Sequence, residues 1–155
     1  MTSETEPKPE ICNCLALRQA ARHVTQFYDA FLLPAGLRTS QFSILAKLRW
    51  LGPLTITALA AAMVMDRTTL SRNIRPLQRE GLVAVASGHR DHRSKQVRLT
   101  ETGLKQFGAA IGAWSEAQER FDAVFGAGRA AGLRNLLHIV SVTDLGRQCR
   151  GSKQG

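Results

Sequence analysis

The residues from Leu54 to Thr100 constrain this chain more than any others. They read as two short helices joined by a tight turn, then a hairpin with a charged tip, which together make a winged helix-turn-helix. The second helix, 66–80, carries the argument. Asp66 is a good N-cap, because its carboxylate can accept from the free backbone donors of Thr68 or Thr69. Leu70, Ile74 and Leu77 follow at i, i+4 and i+7 and form one narrow apolar face. Thr68, Arg72, Arg75 and Arg79 fall on the opposite face, with Thr69 and Ser71 flanking it. Such a helix anchors to a core on one side and presents hydroxyls and guanidinium forks on the other. Arg pairs bidentately with guanine or phosphate, and Thr reaches base edges and the thymine methyl, so the pattern suits a major-groove reader. Taken alone, an arginine-rich helix face is equally what a solvated surface looks like.

The loop that follows shifts the balance. Leu82 to Val85 reads as a strand and Val97 to Leu99 as its return partner, and between them lie Arg90, Arg93 and Lys95 with one acid, Asp91. A two-stranded wing is narrow enough for its tip to enter a minor groove, where the negative potential favours Arg. Asp91 is expected to orient the Arg93 guanidinium through a charge-assisted hydrogen bond. The candidate DNA contacts are therefore Arg67, Thr68, Thr69, Ser71, Arg72, Arg75, Arg90, Arg93 and Lys95.

The run from Thr55 to Thr102 resembles the MarR family, the multiple antibiotic resistance regulators. Three features carry the likeness: a helix pair ending in Glu80-Gly81-Leu82-Val83, the Asp91-x-Arg93 wing, and the strand exit Val97-x-Leu99-Thr100-x-x-Gly103. Length and helix order extend it over nearly the whole chain. The resemblance implies a homodimeric DNA-binding regulator, most often a repressor, with 66–80 as recognition helix and Arg93 as wing arginine. It also implies an effector pocket between two lobes, since many family members release DNA on binding aromatic or anionic compounds. Candidate lining residues here are Arg18, Tyr28, Phe42 and Trp50, each of which also suits ordinary packing. Pro76 departs from a regular recognition helix: it deletes the backbone bond to residue 72 and is expected to kink the second half.

Elsewhere the chain is helical. Residues 1–9 read as a disordered tail and 150–155 as a flexible one. Leu17, Ala20 or Ala21, Val24, Phe27 or Tyr28, and Phe31 predict a long helix from Glu10 to about Leu33, whose stripe needs a partner chain or a second long helix. Pro34-Ala35-Gly36 ends it. Thr39 or Ser40 is the expected cap of a helix with Phe42, Leu45, Leu48 and Leu51 inward, stopped by Gly52-Pro53. Thr55 caps the next, with Leu59 and Met63 packing under the reader. Thr100 should cap a helix from Glu101 to about Phe125, in which Gly103, Gly108 and Gly112 permit close approach of another helix. A last helix spans about 129–147. The expected fold is mainly α with a small β-hairpin wing. The expected lobes are 36–100, which binds DNA, and a dimerisation lobe built from 10–35 and 101–149. Two copies on a two-fold axis would set their recognition helices about 34 Å apart, matching a pseudo-palindromic duplex site.

Charge narrows the partner. The chain carries a formal net charge of +9, and from Asp66 to Arg98 eight Arg or Lys face three acids, which points to a polyanion such as double-stranded DNA. A non-specific nucleic-acid binder is the alternative, but aromatic stacking platforms among the arginines are missing. No phosphate loop, nucleophile elbow or carboxylate pair argues for an enzyme, and no histidine–cysteine spacing argues for a metal or cofactor. No apolar run reaches a membrane-spanning length, and the polar, acidic start is unlike a secretory signal, so a bacterial-type cytoplasmic protein is expected. Cys12, Cys14 and Cys149 are candidates for redox sensing or inert thiols. If 10–33 is one helix, Cys12 and Cys14 point about 200° apart and pair poorly with each other.

Overall fold

A computed structural model of the chain describes residues 8–88 and 93–146. The order of elements is α1 (Asn13–Leu32), α2 (Thr39–Leu51), β1 (Leu54–Thr55), α3 (Ile56–Ala62), α4 (Arg67–Arg79), β2 (Val83–Ser87), β3 (Lys95–Leu99), α5 (Glu101–Phe125) and α6 (Ala127–Val142). Two compact units divide within α5, after Ala117.

The first unit holds the winged helix-turn-helix. Its sheet is three-stranded and antiparallel in the order β1-β3-β2, with Leu54 opposite Val97 and Val85 opposite Val97 from the other side. The expected hairpin is there; the third strand is an addition. β1 is only two residues long, and Thr55 serves it while also capping α3 through its hydroxyl, which accepts from Ala58 N at 3.1 Å. A single apolar cluster forms the core beneath the sheet. Leu32 and Leu37, Ile44, Leu45 and Leu48 of α2, Leu59 of α3, Leu70, Ile74 and Leu77 of α4, and Val83 and Val97 of the sheet all lie within it. Met63 packs against its edge. Phe42 joins the same cluster and sits against Phe107 and Trp114 of α5, with ring centroids 5.0 and 6.0 Å away.

Several details differ from expectation. α1 begins at Asn13 rather than Glu10, because Pro9 opens a separate 3-10 turn and Cys12 takes the cap position with extended backbone (φ −79°, ψ 106°). α2 is capped neither by Thr39 nor by Ser40. Arg38 occupies the cap, and the free donor of Thr39 goes to Asp29 Oδ1 of α1 at 2.7 Å, which also receives the Thr39 hydroxyl. On α2, Phe42, Leu45 and Leu48 are buried as predicted and Ile44 joins them, whereas Leu51, predicted inward, is 55% exposed. α4 keeps its expected span, Arg67–Arg79 between the caps Asp66 and Glu80, with Pro76 inside it. α6 stops at Val142, leaving Leu145 outside it.

Three helix ends close in the same way. Gly36, Gly81 and Val64 adopt positive φ (84°, 73° and 53°) after the 3-10 turn Leu33–Ala35 that follows α1, after α4 and after α3, and the residue that follows each donates to a carbonyl five back. Leu37 N to Leu32 O, Leu82 N to Leu77 O and Met65 N to Ala60 O are those bonds, at 3.2, 2.9 and 2.9 Å. This closure is usually left to Gly, which has no Cβ to clash. Val64 is the exception, and it forms the turn between the two helices of the motif.

α5 starts on its expected cap. Thr100 Oγ1 accepts from Gly103 N at 2.9 Å and donates to Gly81 O at 2.6 Å, while Thr100 N donates to Leu82 O at 3.2 Å. Gly103 therefore lies on the backbone of Leu82, not on another helix. Gly108 and Gly112, expected to admit a helix, have open space where a Cβ would be.

In the second unit, Phe121 and Phe125 pack together, Arg129 lies over the Phe125 ring, and Asp122 pairs with Arg134 at 3.9 Å. Leu136, Val140 and Val142 on α6 stay exposed.

Candidate nucleic-acid interface

α4 is built to show one face. Asp66 caps it: Oδ1 accepts from Thr69 N at 2.8 Å and Oδ2 from the Thr69 hydroxyl at 2.6 Å. The Thr69 hydroxyl bond, then the Thr69 backbone bond, hold the Asp66 carboxyl below its ordinary value. Leu70 and Leu77 are fully buried and Ile74 is 3% exposed. Burying each such side chain is worth about 1.5–3 kcal/mol, enough to hold the helix in one rotation about its axis. That rotation leaves Arg67, Thr68, Arg72, Arg75 and Arg79 exposed, with Ser71 half-buried at their flank. Thr69, half-buried, also takes part in the cap. Its hydroxyl hydrogen goes to the Asp66 cap and its carbonyl accepts from Asn73 Nδ2 at 2.8 Å, so it organises the first turn.

The wing stands beside α4, since β2 packs on that helix. The β2–β3 ladder extends from Val83 opposite Leu99 to Ser87 opposite Lys95, and Gly88 N continues it by donating to Ser94 O at 2.9 Å. Arg93, Lys95 and Arg98 are exposed on the return strand and its approach. Arg90 and Asp91 lie outside the described residues, and so does the expected Asp91–Arg93 bond; His89 and His92 lie there too.

The other candidates are spread out. Arg18 and Tyr28 are ten residues apart on α1, about 15 Å of helical rise, and Phe42 and Trp50 are eight apart on α2, about 12 Å. Phe42 is in the core while Trp50 is 85% exposed. Cys12 and Cys14 are free and exposed, and the Cys12 thiol accepts from Leu15 N at 3.4 Å as the cap of α1. Cys12 sits at the cap with extended backbone, so helical spacing does not set its direction relative to Cys14. Cys149 lies outside the described residues. Among the described residues no group of three His, Cys, Asp or Glu could hold a metal ion, and no helix is long and apolar enough to cross a membrane.

The model of the MarR family matches residues 37–95, which is α2 through the start of β3. The M. tuberculosis transcriptional regulator MosR, solved in complex with DNA, is 37% identical; the match covers 81% of this chain and 92% of that one, with a TM-score of 0.71. MarR of E. coli, solved in its apo form, shares the fold at 21% identity and a TM-score of 0.67, over 84% of this chain and 97% of that one. An uncharacterised HTH-type regulator of Bacillus subtilis, YwoH, is 33% identical over 91 residues, or 59% of this chain and 66% of that relative. The match thus spans just under two thirds of that curated relative.

Proposed function

The chain belongs to the MarR family, and from that premise we propose that it is a homodimeric, sequence-specific DNA-binding transcriptional regulator, a repressor released by a small-molecule or oxidative signal. One observation carries the reading: α4 buries Leu70, Ile74 and Leu77 and turns Arg72, Arg75 and Arg79 outward beside an arginine- and lysine-bearing wing. Bases are read in the major groove by such forks, and phosphates by the charge around them. MosR, bound to DNA in its own crystal structure, supports the same partner here. An enzymatic role has no comparable support.

Dimerisation is supported by apolar side chains that a single chain leaves uncovered. Leu17 on α1 is 41% exposed, and Leu136 and Val140 on α6 are 62% and 43% exposed. Pairing through the terminal helices, 10–35 and 101–149, would cover them. Exposed Cys12 and Cys14 support the oxidative form of release.

The test is selection of bound duplexes from a random pool. A dimer of this kind selects an inverted repeat with half-sites one helical turn apart. Replacing Arg72 or Arg75 by Ala should cost about 1–3 kcal/mol of binding and relax discrimination, and Arg93→Ala should weaken binding with less loss of discrimination. Unchanged affinity after all three replacements, or equal competition by single-stranded DNA and RNA, refutes the reading. Peroxide that yields no disulfide-linked species and leaves duplex binding intact removes the oxidative signal.

A further inference from the structure

A cleft of about 330 Å³ opens between α4 and the wing, lined by Gln78, Val85, Ala86, Ser87 and Lys95. Strand alternation produces it. Val83, Val85 and Ser87 share one face of β2, and their direct partners Leu99, Val97 and Lys95 share that face of β3. The face begins in the core, where Val83 and Val97 are buried, and ends in solvent, where Ser87 and Lys95 are exposed. Apolar contact with the helix gives out there and polar donors take over. Gln78, one residue past the buried Leu77, brings an amide from α4; Ser87 brings a hydroxyl and Lys95 an ammonium. Among the described residues the lining holds one cation and no carboxylate, so the charged ligand it favours is an anion.

Which anion follows from the geometry of duplex reading. A single phosphodiester strand separates a major groove from the adjacent minor groove. A protein with a helix in one and a wing in the other must straddle that strand. We propose that this cleft seats one backbone phosphate of the bound duplex, with Gln78 and Ser87 donating hydrogen bonds and Lys95 supplying charge. The proposal rests on the DNA-binding reading above and adds two neutral residues that the charge pattern passes over. A contact of this kind fixes register and orientation and carries no sequence information. Free inorganic phosphate shares the chemistry, and the experiment separates the two.

Anisotropy titrations compare the selected duplex with a scrambled one for wild type, Gln78→Ala, Ser87→Ala and Lys95→Ala. All three positions are exposed, and circular dichroism checks the fold. Each variant should weaken both duplexes by the same factor, about tenfold for a lost hydrogen bond to a charged group. Lys95→Ala should lower the slope of log affinity against log salt by about 1, while the neutral variants leave it unchanged. The proposal is overturned if Gln78→Ala and Ser87→Ala bind as wild type, or if they lose only the selected duplex. It is also overturned if phosphate exchanged for chloride at constant ionic strength stabilises wild type but not the variants, with duplex affinity untouched. Wild type that binds its selected duplex beside equally tight variants rejects this inference alone. Wild type without sequence preference, beside weakened variants, rejects the function and leaves the inference standing. Wild type that binds no duplex rejects both.

Discussion

Replacing Gly103 by Ala should separate two backbones that the fold holds in contact. A Cβ at Gly103 would stand 1.9 Å from the carbonyl oxygen of Leu82, 2.8 Å from its carbon and 3.2 Å from its Cα. An ordinary carbon–oxygen approach is about 3.3 Å, so the start of α5 and the α4–β2 junction must part by roughly 1.4 Å. Neither side is a flexible side-chain end that could swing away. The movement would stretch the Thr100 hydroxyl bond to Gly81 O, now 2.6 Å, and the Thr100 N bond to Leu82 O, now 3.2 Å, past useful length. Two lost bonds cost about 0.5–1.5 kcal/mol each, and forced overpacking about 1–3 kcal/mol. Ala in place of Gly in a helix returns about 1 kcal/mol. The net expectation is a loss of about 2–4 kcal/mol. At roughly 2–4 °C per kcal/mol for a chain of this size, Tm should fall by about 5–15 °C. Urea unfolding at one fixed protein concentration measures it, because association adds to apparent stability. Gly108→Ala is the control: nothing lies within 4 Å of its Cβ position, so it should stabilise by about 0.5–1 kcal/mol. Gly103→Ala unfolding with wild type, or shifting in the same direction as Gly108→Ala, would refute the reasoning.

Two further outcomes follow from α4 and the turn before it. Asp66→Ala should lower Tm near neutral pH, where the carboxylate caps the helix. Its folded pKa is depressed below 3.8 by the Thr69 bonds, so the folded state takes up the proton less readily than the unfolded chain. The cap's contribution is therefore full above the unfolded value and is lost as pH falls through the depressed one. A melting series into acid should bring wild type and Asp66→Ala together; a gap that persists there contradicts the assignment. Val64→Gly should stabilise by about 1 kcal/mol, since a β-branched residue at positive φ costs about 1–2 kcal/mol and Gly's larger unfolded entropy offsets only part of that. Val64 is 70% exposed, so little burial is lost with its side chain. A chemical-unfolding midpoint lower than wild type would show that the turn is not strained as described.

The boundaries that sequence misread share a cause. Asp29 satisfies the start of α2 from ten residues away on α1, so the cap is not written next to the helix it serves. Val64 offers no turn signal at all, because the residue that normally marks such a turn is Gly. β1 is two residues long and exists through its pairing with Val97 and Gln96 on a strand some forty residues later. Gly103 reads as a weak helix residue until Leu82 is seen beneath it. Gln78 and Ser87, proposed above to meet a phosphate, are neutral, so a pattern of Arg and Lys does not mark them.

Helix α4 needed only its own residues: the Asp66 cap and the Leu70, Ile74, Leu77 spacing act within a few turns, so local periodicity and capping were enough to orient its arginines. The same holds for Thr100 and the length of α5. Folding alone decided what those helices rest against: which backbones touch, which strand joins the sheet, and where the apolar face of the wing runs out beside α4. Those contacts join residues far apart in the chain, and their energy depends on distances that no local pattern encodes.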